Sequence, residues 1–187
     1  MQTTEIRQLT MEELEAGLPH IRRSPQDNGV LEMIVRRPRT NEREVLEEGR
    51  LDPQEGLVGD NWRKKGSSRT KDGSAHRDLQ LTLMNARVIA LVAQDKERWP
   101  LAGDQLYVDL NLSKDNLPAG TRLAIGDAVV EVTDKPHTGC KKFMARYGLD
   151  ALTFVNSKVG KQLQMRGINA RVVRPGAIRR GDRVRKL

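Results

Sequence analysis

The sequence is poor in aromatic residues: Phe, Trp and Tyr together make up 3% of 187 positions. A core must therefore come from Leu, Val, Ile, Ala and Met, and the stacking platforms that single-stranded nucleic acid needs are poorly supplied. There is one cysteine, Cys140, which excludes an intramolecular disulfide and agrees with a reducing compartment. The three histidines are His20, His76 and His137; with a single cysteine they argue against a four-ligand structural zinc site. No apolar run is long enough to span a bilayer. The first 17 residues are polar and acidic, without the apolar stretch of a signal peptide. The expectation is a cytoplasmic protein with no membrane association. Neither a phosphate-binding glycine fingerprint nor a zinc-hydrolase motif occurs.

Charge is plentiful and uneven. Charged residues are 31% of the chain and the net charge is +8. All of that excess falls in residues 161–187, which hold nine basic residues against the single acid Asp182. Such a block attracts phosphate, nucleic acid or an anionic cofactor; it equally suits a solvated rim. The length fits one domain, read as an N-terminal extension over 1–29 (a short helix plus a loop) and a single domain over 30–187.

Thr10-Met11-Glu12-Glu13 is a capping-box pattern that starts a short helix, and residues 17–28, with two prolines, read as a loop. Residues 31–35 form a strand candidate and 45–51 a weaker one. Residues 59–77 are polar and almost free of aliphatic side chains, so they read as a long loop, functional or merely solvated. Leu79 to Leu83 alternates as a strand does. Met84, Val88, Leu91 and Val92 then fall on one helical face, which predicts a helix from near Asn85 to before Pro100. Residues 122–125 and 128–132 form two strands joined by Gly126-Asp127, a hairpin signal. Residues 140–147 and most of 150–164 read as helical, and 170–173 and 182–184 as closing strands. Many short strands with glycine turns and a few helices argue for a mostly β fold, a barrel or sandwich with minor helical elements.

Cys140 stands where a Pro- and Gly-containing loop meets a helix start, and Lys141 and Lys142 follow it. Helix N-termini and lysines both favour the thiolate, which is the nucleophile and the metal-binding form. The alternative is an inert buried thiol. His137 or His76 pairs with Cys140 as a base if the fold brings them together.

The run from Gly120 through Ile125-Gly126-Asp127 to Thr133, followed by the loop and Cys140, resembles the core signature of MOSC domains. Asp109-Leu110-Asn111-Leu112 is similar to the family's Gly-Glu-Asn-Leu segment, and residues 167–173, Pro175-Gly176 and Gly181-Asp182 resemble its closing strands. The early Gly59-Asp60 fits as well, so the resemblance covers about residues 30–185. It implies a MOSC-type β-barrel with a cleft ending at the cysteine. In relatives that reduce N-hydroxylated compounds, that cysteine ligates the molybdenum of the molybdenum cofactor (molybdopterin); in sulfurases it handles sulfur. Asp109-Leu110 departs from the family's small and acidic pair, and histidine and glycine replace its arginine and proline near the cysteine.

The resemblance therefore implies a small stand-alone member that binds the molybdenum cofactor through Cys140 as metal ligand, with Asn111 as a cofactor contact; His137 enters as catalytic partner from its place beside the cysteine, not from the resemblance. Position adds Arg69, His76, Gln80, Asn85, Lys141 and Arg171 as cofactor-binding candidates. Bland roles stand beside these: a surface arginine, a solvated histidine, an outward strand residue and a helix cap. As an enzyme it would be a molybdenum cofactor-dependent oxidoreductase acting on a small molecule, with an electron-donor protein. As a sulfurtransferase-like carrier it would pass on a Cys140 persulfide received from a sulfur-donor protein. A nucleic-acid-binding module built on the basic C-terminal stretch ranks last. Pyridoxal phosphate is not expected, because the chain has no room for the sulfurase domain that binds it.

Overall fold

The computed structural model describes residues 6–187; the start of the N-terminal extension lies outside the described residues. Thr10 caps helix α1 (Met11–Ala16), with both hydrogen bonds of the capping box formed between Thr10 and Glu13. Residues 17–28 are not all loop: helix α2 (Leu18–Arg22) begins there. Its proline sits in the first turn, where a missing N–H costs nothing. Strand β1 (Gly29–Arg36) follows. The expected strand at 45–51 is two strands, β2 (Glu44–Leu46) and β3 (Glu48–Asp52), separated at Glu47 and belonging to different sheets.

After β4 (Gly56–Leu57), the polar segment contains one short helix, α3 (Trp62–Lys65), and a 3-10 turn at Arg77–Leu79. Strand β5 (Leu81–Asn85) runs into helix α4 (Ala86–Ala93). The helix stops earlier than its apolar pattern suggests, because Gln94 takes a φ of 63°; a 3-10 stretch at Lys96–Ala102 carries Pro100 to β6 (Leu106–Asp109).

The hairpin β7 (Arg122–Ile125) and β8 (Ala128–Val132) forms as its Gly-Asp turn predicts. Helix α5 (Lys141–Tyr147) follows Cys140, and the helical region after it is broken at Ser157 into α6 (Leu149–Asn156) and α7 (Lys158–Gln162). Ser157 is extended and caps the second piece by accepting from the Gly160 N–H. Strands β9 (Ile168–Arg174), β10 (Gly176–Arg179) and β11 (Arg183–Lys186) close the chain.

Seven strands form a closed mixed barrel in the order β11-β7-β8-β9-β5-β6-β1, with β1 pairing back onto β11. Among the described residues only the β5–β6 pair is parallel, and such a pair needs a crossover, here α4 and the 3-10 stretch. Strand β2 extends β1, and β10-β3-β4 makes a separate small sheet. Alternation splits the apolar residues between two cores. Leu83, Leu106, Val108 and Val130 fill the barrel. Met84, Tyr107, Val88 and Phe143 form a second cluster with the helices. On β1 a bulge between Leu31 and Met33 switches faces, so Leu31 joins the barrel core and Met33 the helical one. Leu14 and Ile21 of the N-terminal extension pack into that second core.

The register gathers three chain segments. Leu83 pairs with both Leu106 and Ile168, the first residues of β6 and β9, and Val132 at the end of β8 pairs with Ala170. The entries to β6 and β9 and the exit from β8 therefore meet in one region.

Gln80 ties the small sheet to the barrel. It is fully buried, accepts from the Val172 N–H at 2.8 Å and donates to the Pro53 carbonyl at 3.0 Å. Gln80→Leu keeps the volume but strands both groups, so it is expected to destabilise the fold by roughly 2–5 kcal/mol. Urea unfolding measures this, and a loss below about 1 kcal/mol would show that water replaces the amide.

Candidate functional site

Cys140 is exposed and occupies the N-cap position of α5, with extended backbone at φ −127°. The loop before it is pinned at several points. Thr133 donates to the Asp78 carbonyl at 2.7 Å, and Asn169 donates to the Lys135 carbonyl at 3.0 Å. Gly139 is held from both sides by Asn156, which accepts from its N–H at 2.8 Å and donates to its carbonyl at 3.1 Å. A Cβ at Gly139 would stand 2.6 Å from Leu152 Cδ1, so glycine lets the loop lie against α6 without displacing that side chain. The sulfur is thus delivered to the surface by a fixed loop.

Behind the loop lies a buried ion cluster. Asp104, fully buried, accepts from Arg166 Nη1 at 2.6 Å through one oxygen and faces His137 Nε2 at 3.0 Å through the other. Arg166 also donates to the Ala102 carbonyl at 2.8 Å, and its guanidinium stacks over the Phe143 ring at 5.1 Å. Among the described residues its Nε–H has no acceptor.

Burial pushes the Asp104 carboxyl up, but Arg166 and His137 outweigh it and hold the group at about 2. Burial and the Arg166 charge keep His137 below its ordinary value despite Asp104. The imidazole is therefore neutral near pH 7, with its proton on Nε2 toward the anionic oxygen and Nδ1 left as an acceptor. Partial burial pushes the Cys140 thiol up. The backbone N–H groups of Phe143 and Lys142, with the charges of Arg166 and Lys142, more than offset this and leave the thiol below its ordinary value.

The structure brings Cys140, His137 and Lys141 onto one loop and helix start, although no hydrogen bond joins His137 to Cys140 among the described residues. The other expected site residues lie elsewhere. Asn85 caps α4 by accepting from the Arg87 N–H and donates to Ser24 and Leu110. Asn111 accepts from the Ser113 N–H, and both asparagines line a separate cavity of about 370 Å³. His76 caps the turn before β5 by accepting from the Asp78 N–H. Arg69 is exposed on the polar loop, and Gln80 is the buried tie described above. Arg171 is held by Glu131 at 2.7 Å and Asp78 at 3.2 Å. The basic C-terminal stretch is answered further by Arg179–Glu48 and Arg180–Glu47, both at 3.1 Å.

Sequence reasoning missed Asp104 and Arg166. Gly103-Asp104 is one of four Gly-Asp pairs in the sequence, with nothing local to distinguish it, and the partners of Asp104 lie 33 and 62 residues away. Among the described residues no three His, Cys, Asp or Glu side chains converge on one point. No helix there is long and apolar enough to cross a membrane.

Two measurements test these electrostatics. An unfolded aspartate titrates near 3.9, so Asp104 adds stability above that value and loses it as pH falls toward 2. The unfolding free energy should drop by roughly 2 kcal/mol more in the unmodified protein than in Asp104→Asn between pH 4.5 and 2; parallel curves would refute a buried anion. Alkylation of Cys140 by iodoacetamide should show a midpoint below about 8.5, raised in Lys142→Gln. A midpoint at or above the free-cysteine value would contradict the arrangement of N–H groups and charges around the sulfur.

A MOSC domain model matches residues 74–185, a span that runs from before β5 into β11 and includes Asp104, His137, Cys140 and Arg166. The fold is similar to the YuaD protein of Bacillus subtilis, with a TM-score of 0.60 and 18% identity over 84% of this chain and 94% of that one. It is also similar to YiiM of Geobacillus stearothermophilus, with a TM-score of 0.51 and 15% identity over 86% of this chain and 73% of that one. Among curated proteins none matches the sequence. With more than half of its length under the family model, and a seven-stranded barrel behind that match, the chain belongs to the MOSC domain family.

Proposed function

We propose that the protein binds the molybdenum cofactor with Cys140 as a metal ligand and takes part in the reduction of N-hydroxylated or related small compounds. The observation that carries this reading is the exposed Cys140 sulfur, presented by the Asn156-clamped loop at the start of α5. A thiolate is a soft donor of the kind molybdenum accepts. Exposed Lys141 and Lys142 beside it suit the cofactor's phosphate. The donor set fits the group: Cys140 offers one ligand, and the remaining sulfurs belong to the cofactor's own dithiolene. When bound, the cofactor supplies two-electron redox chemistry.

The chain's own residues do the rest. Cys140 anchors, and the Gly139–Asn156 clamp keeps the anchor from moving. His137 holds its proton on Nε2 against Asp104 and offers Nδ1 for a proton to be taken up or returned. Arg166 keeps Asp104 anionic and thereby fixes the imidazole tautomer. Gln80, Asn85 and Arg171 are scaffold residues in this reading, since the groups named above occupy them.

Exposure of the sulfur favours a second reading, in which Cys140 carries a persulfide between partner proteins. Cys140→Ser separates the two. It should change the unfolding free energy by less than about 0.5 kcal/mol, since the residue is exposed, while molybdenum content and reductase activity of anaerobically prepared protein fall to background. Metal-free protein carrying cyanide-labile sulfur on Cys140 would replace the first reading with the second.

A further inference from the structure

A cavity of about 630 Å³ opens beside the Cys140 loop. His137, Thr138 and Asn156 line it, and Asn156 is the side chain that clamps Gly139, next to Cys140. Its floor is apolar, made by buried Leu117, Val132 and Val155. Its rim is basic. Lys114, Lys135 and Lys161 stand on it with one acid, Asp134, and that acid is engaged by Lys135 at 3.5 Å. Among the described residues neither Lys114 nor Lys161 has a carboxylate partner, and both are exposed. The backbone N–H of Lys114 donates to the Gln162 carbonyl at 3.1 Å, so the two lysines sit on one side of the mouth. Arg166 lines the interior as well, with its guanidinium held by Asp104 and the Ala102 carbonyl.

We propose that this cavity binds the substrate of the Cys140 site, and that the substrate is a small, largely apolar molecule bearing one carboxylate or similar anion. The volume suits a compact organic ligand rather than a polymer. The apolar floor takes the body, and Lys114 and Lys161 take the anion where the ligand meets solvent. A cationic ligand would face two unpaired ammonium groups. A neutral one would gain the floor but not the rim. The substrate assignment rests on the proposed role of Cys140; the binding chemistry does not.

The probes are 2-naphthoate, its neutral isostere 2-naphthamide and its cationic counterpart 2-naphthamidine, titrated into cofactor-free full-length protein. Calorimetry reads affinity, and amide chemical shifts map the site. The carboxylate should bind roughly three- to tenfold more tightly than the amide at low salt, and the amidine most weakly. Shifts should centre on the cavity, including Val132, Thr138 and Gly167. The exposed-site variant Lys114→Gln/Lys161→Gln should bring naphthoate and naphthamide to near parity without altering the unfolding midpoint. Cys140→Ser should bind naphthoate as the unmodified protein does, which separates this result from the molybdenum analysis. Equal or tighter binding of the amide or amidine, or shifts centred outside the cavity, would overturn the proposal. So would inorganic phosphate binding there more tightly than naphthoate, since the cavity would then belong to the cofactor's phosphate.

Discussion

One buried carboxylate organises the functional end of this molecule. Asp104 meets Arg166 with one oxygen and His137 with the other. Arg166 cannot be buried without it, since an uncompensated interior charge costs several kcal/mol. Asp104 likewise depends on Arg166, whose charge offsets the desolvation of the carboxylate. Their mutual dependence joins the entry to β6, the entry to β9 and the loop leaving β8. From Arg166 the connection continues to the Phe143 ring and so to α5, the helix that Cys140 caps. The thiol is therefore exposed at its tip and supported by packed, charge-neutral structure behind it.

That meeting point follows from strand order. In a purely antiparallel meander, β5 would turn directly into β6. Here the two are parallel, and the chain must cross over through α4 and the 3-10 stretch before entering β6. The crossover brings Gly103 and Asp104 to the start of β6 instead of a tight turn. Gly103, at φ 89°, ends the 3-10 stretch in a left-handed conformation that suits glycine. Beside them Gly167, at φ 125°, has no room for a Cβ: one would stand 2.5 Å from the Leu83 carbonyl oxygen and 3.0 Å from the His137 ring.

Much of this was legible in the sequence. The capping box at Thr10, the Gly126-Asp127 hairpin and the strand–loop–helix around Cys140 are local patterns, and local chemistry decides them. The resemblance to MOSC domains supplied the barrel, which composition alone left between barrel and sandwich. What stayed hidden depends on long-range pairing. Residues 45–51 look like one strand, but Glu47 belongs to neither β2 nor β3, and the carbonyl there is taken by Arg180 from the far end of the chain. Gln80, Asn85 and His76 are polar residues near strands and caps, and sequence cannot tell a cap or a buried tie from a ligand contact. Arg166 was counted with the basic C-terminal block, although it is the one member of that block buried in a charge pair.

The fate of that block separates two kinds of electrostatics. The C-terminal excess looked in sequence like an anion-binding surface. In the fold, Arg171, Arg179 and Arg180 face glutamates from earlier in the chain, and Arg166 faces Asp104. Among the described residues the cations left without carboxylates around the cysteine loop and its cavity include Lys114, Lys141, Lys142 and Lys161, which come from loops and helix ends. Exposed charges of this sort are screened within about 8 Å at physiological ionic strength, so they act on an anion only as it arrives. The Asp104–Arg166 pair is shielded from solvent and keeps its strength across that range of salt. The architecture of the site is thus set by charges that salt does not reach, and its attraction for anions by charges that salt does.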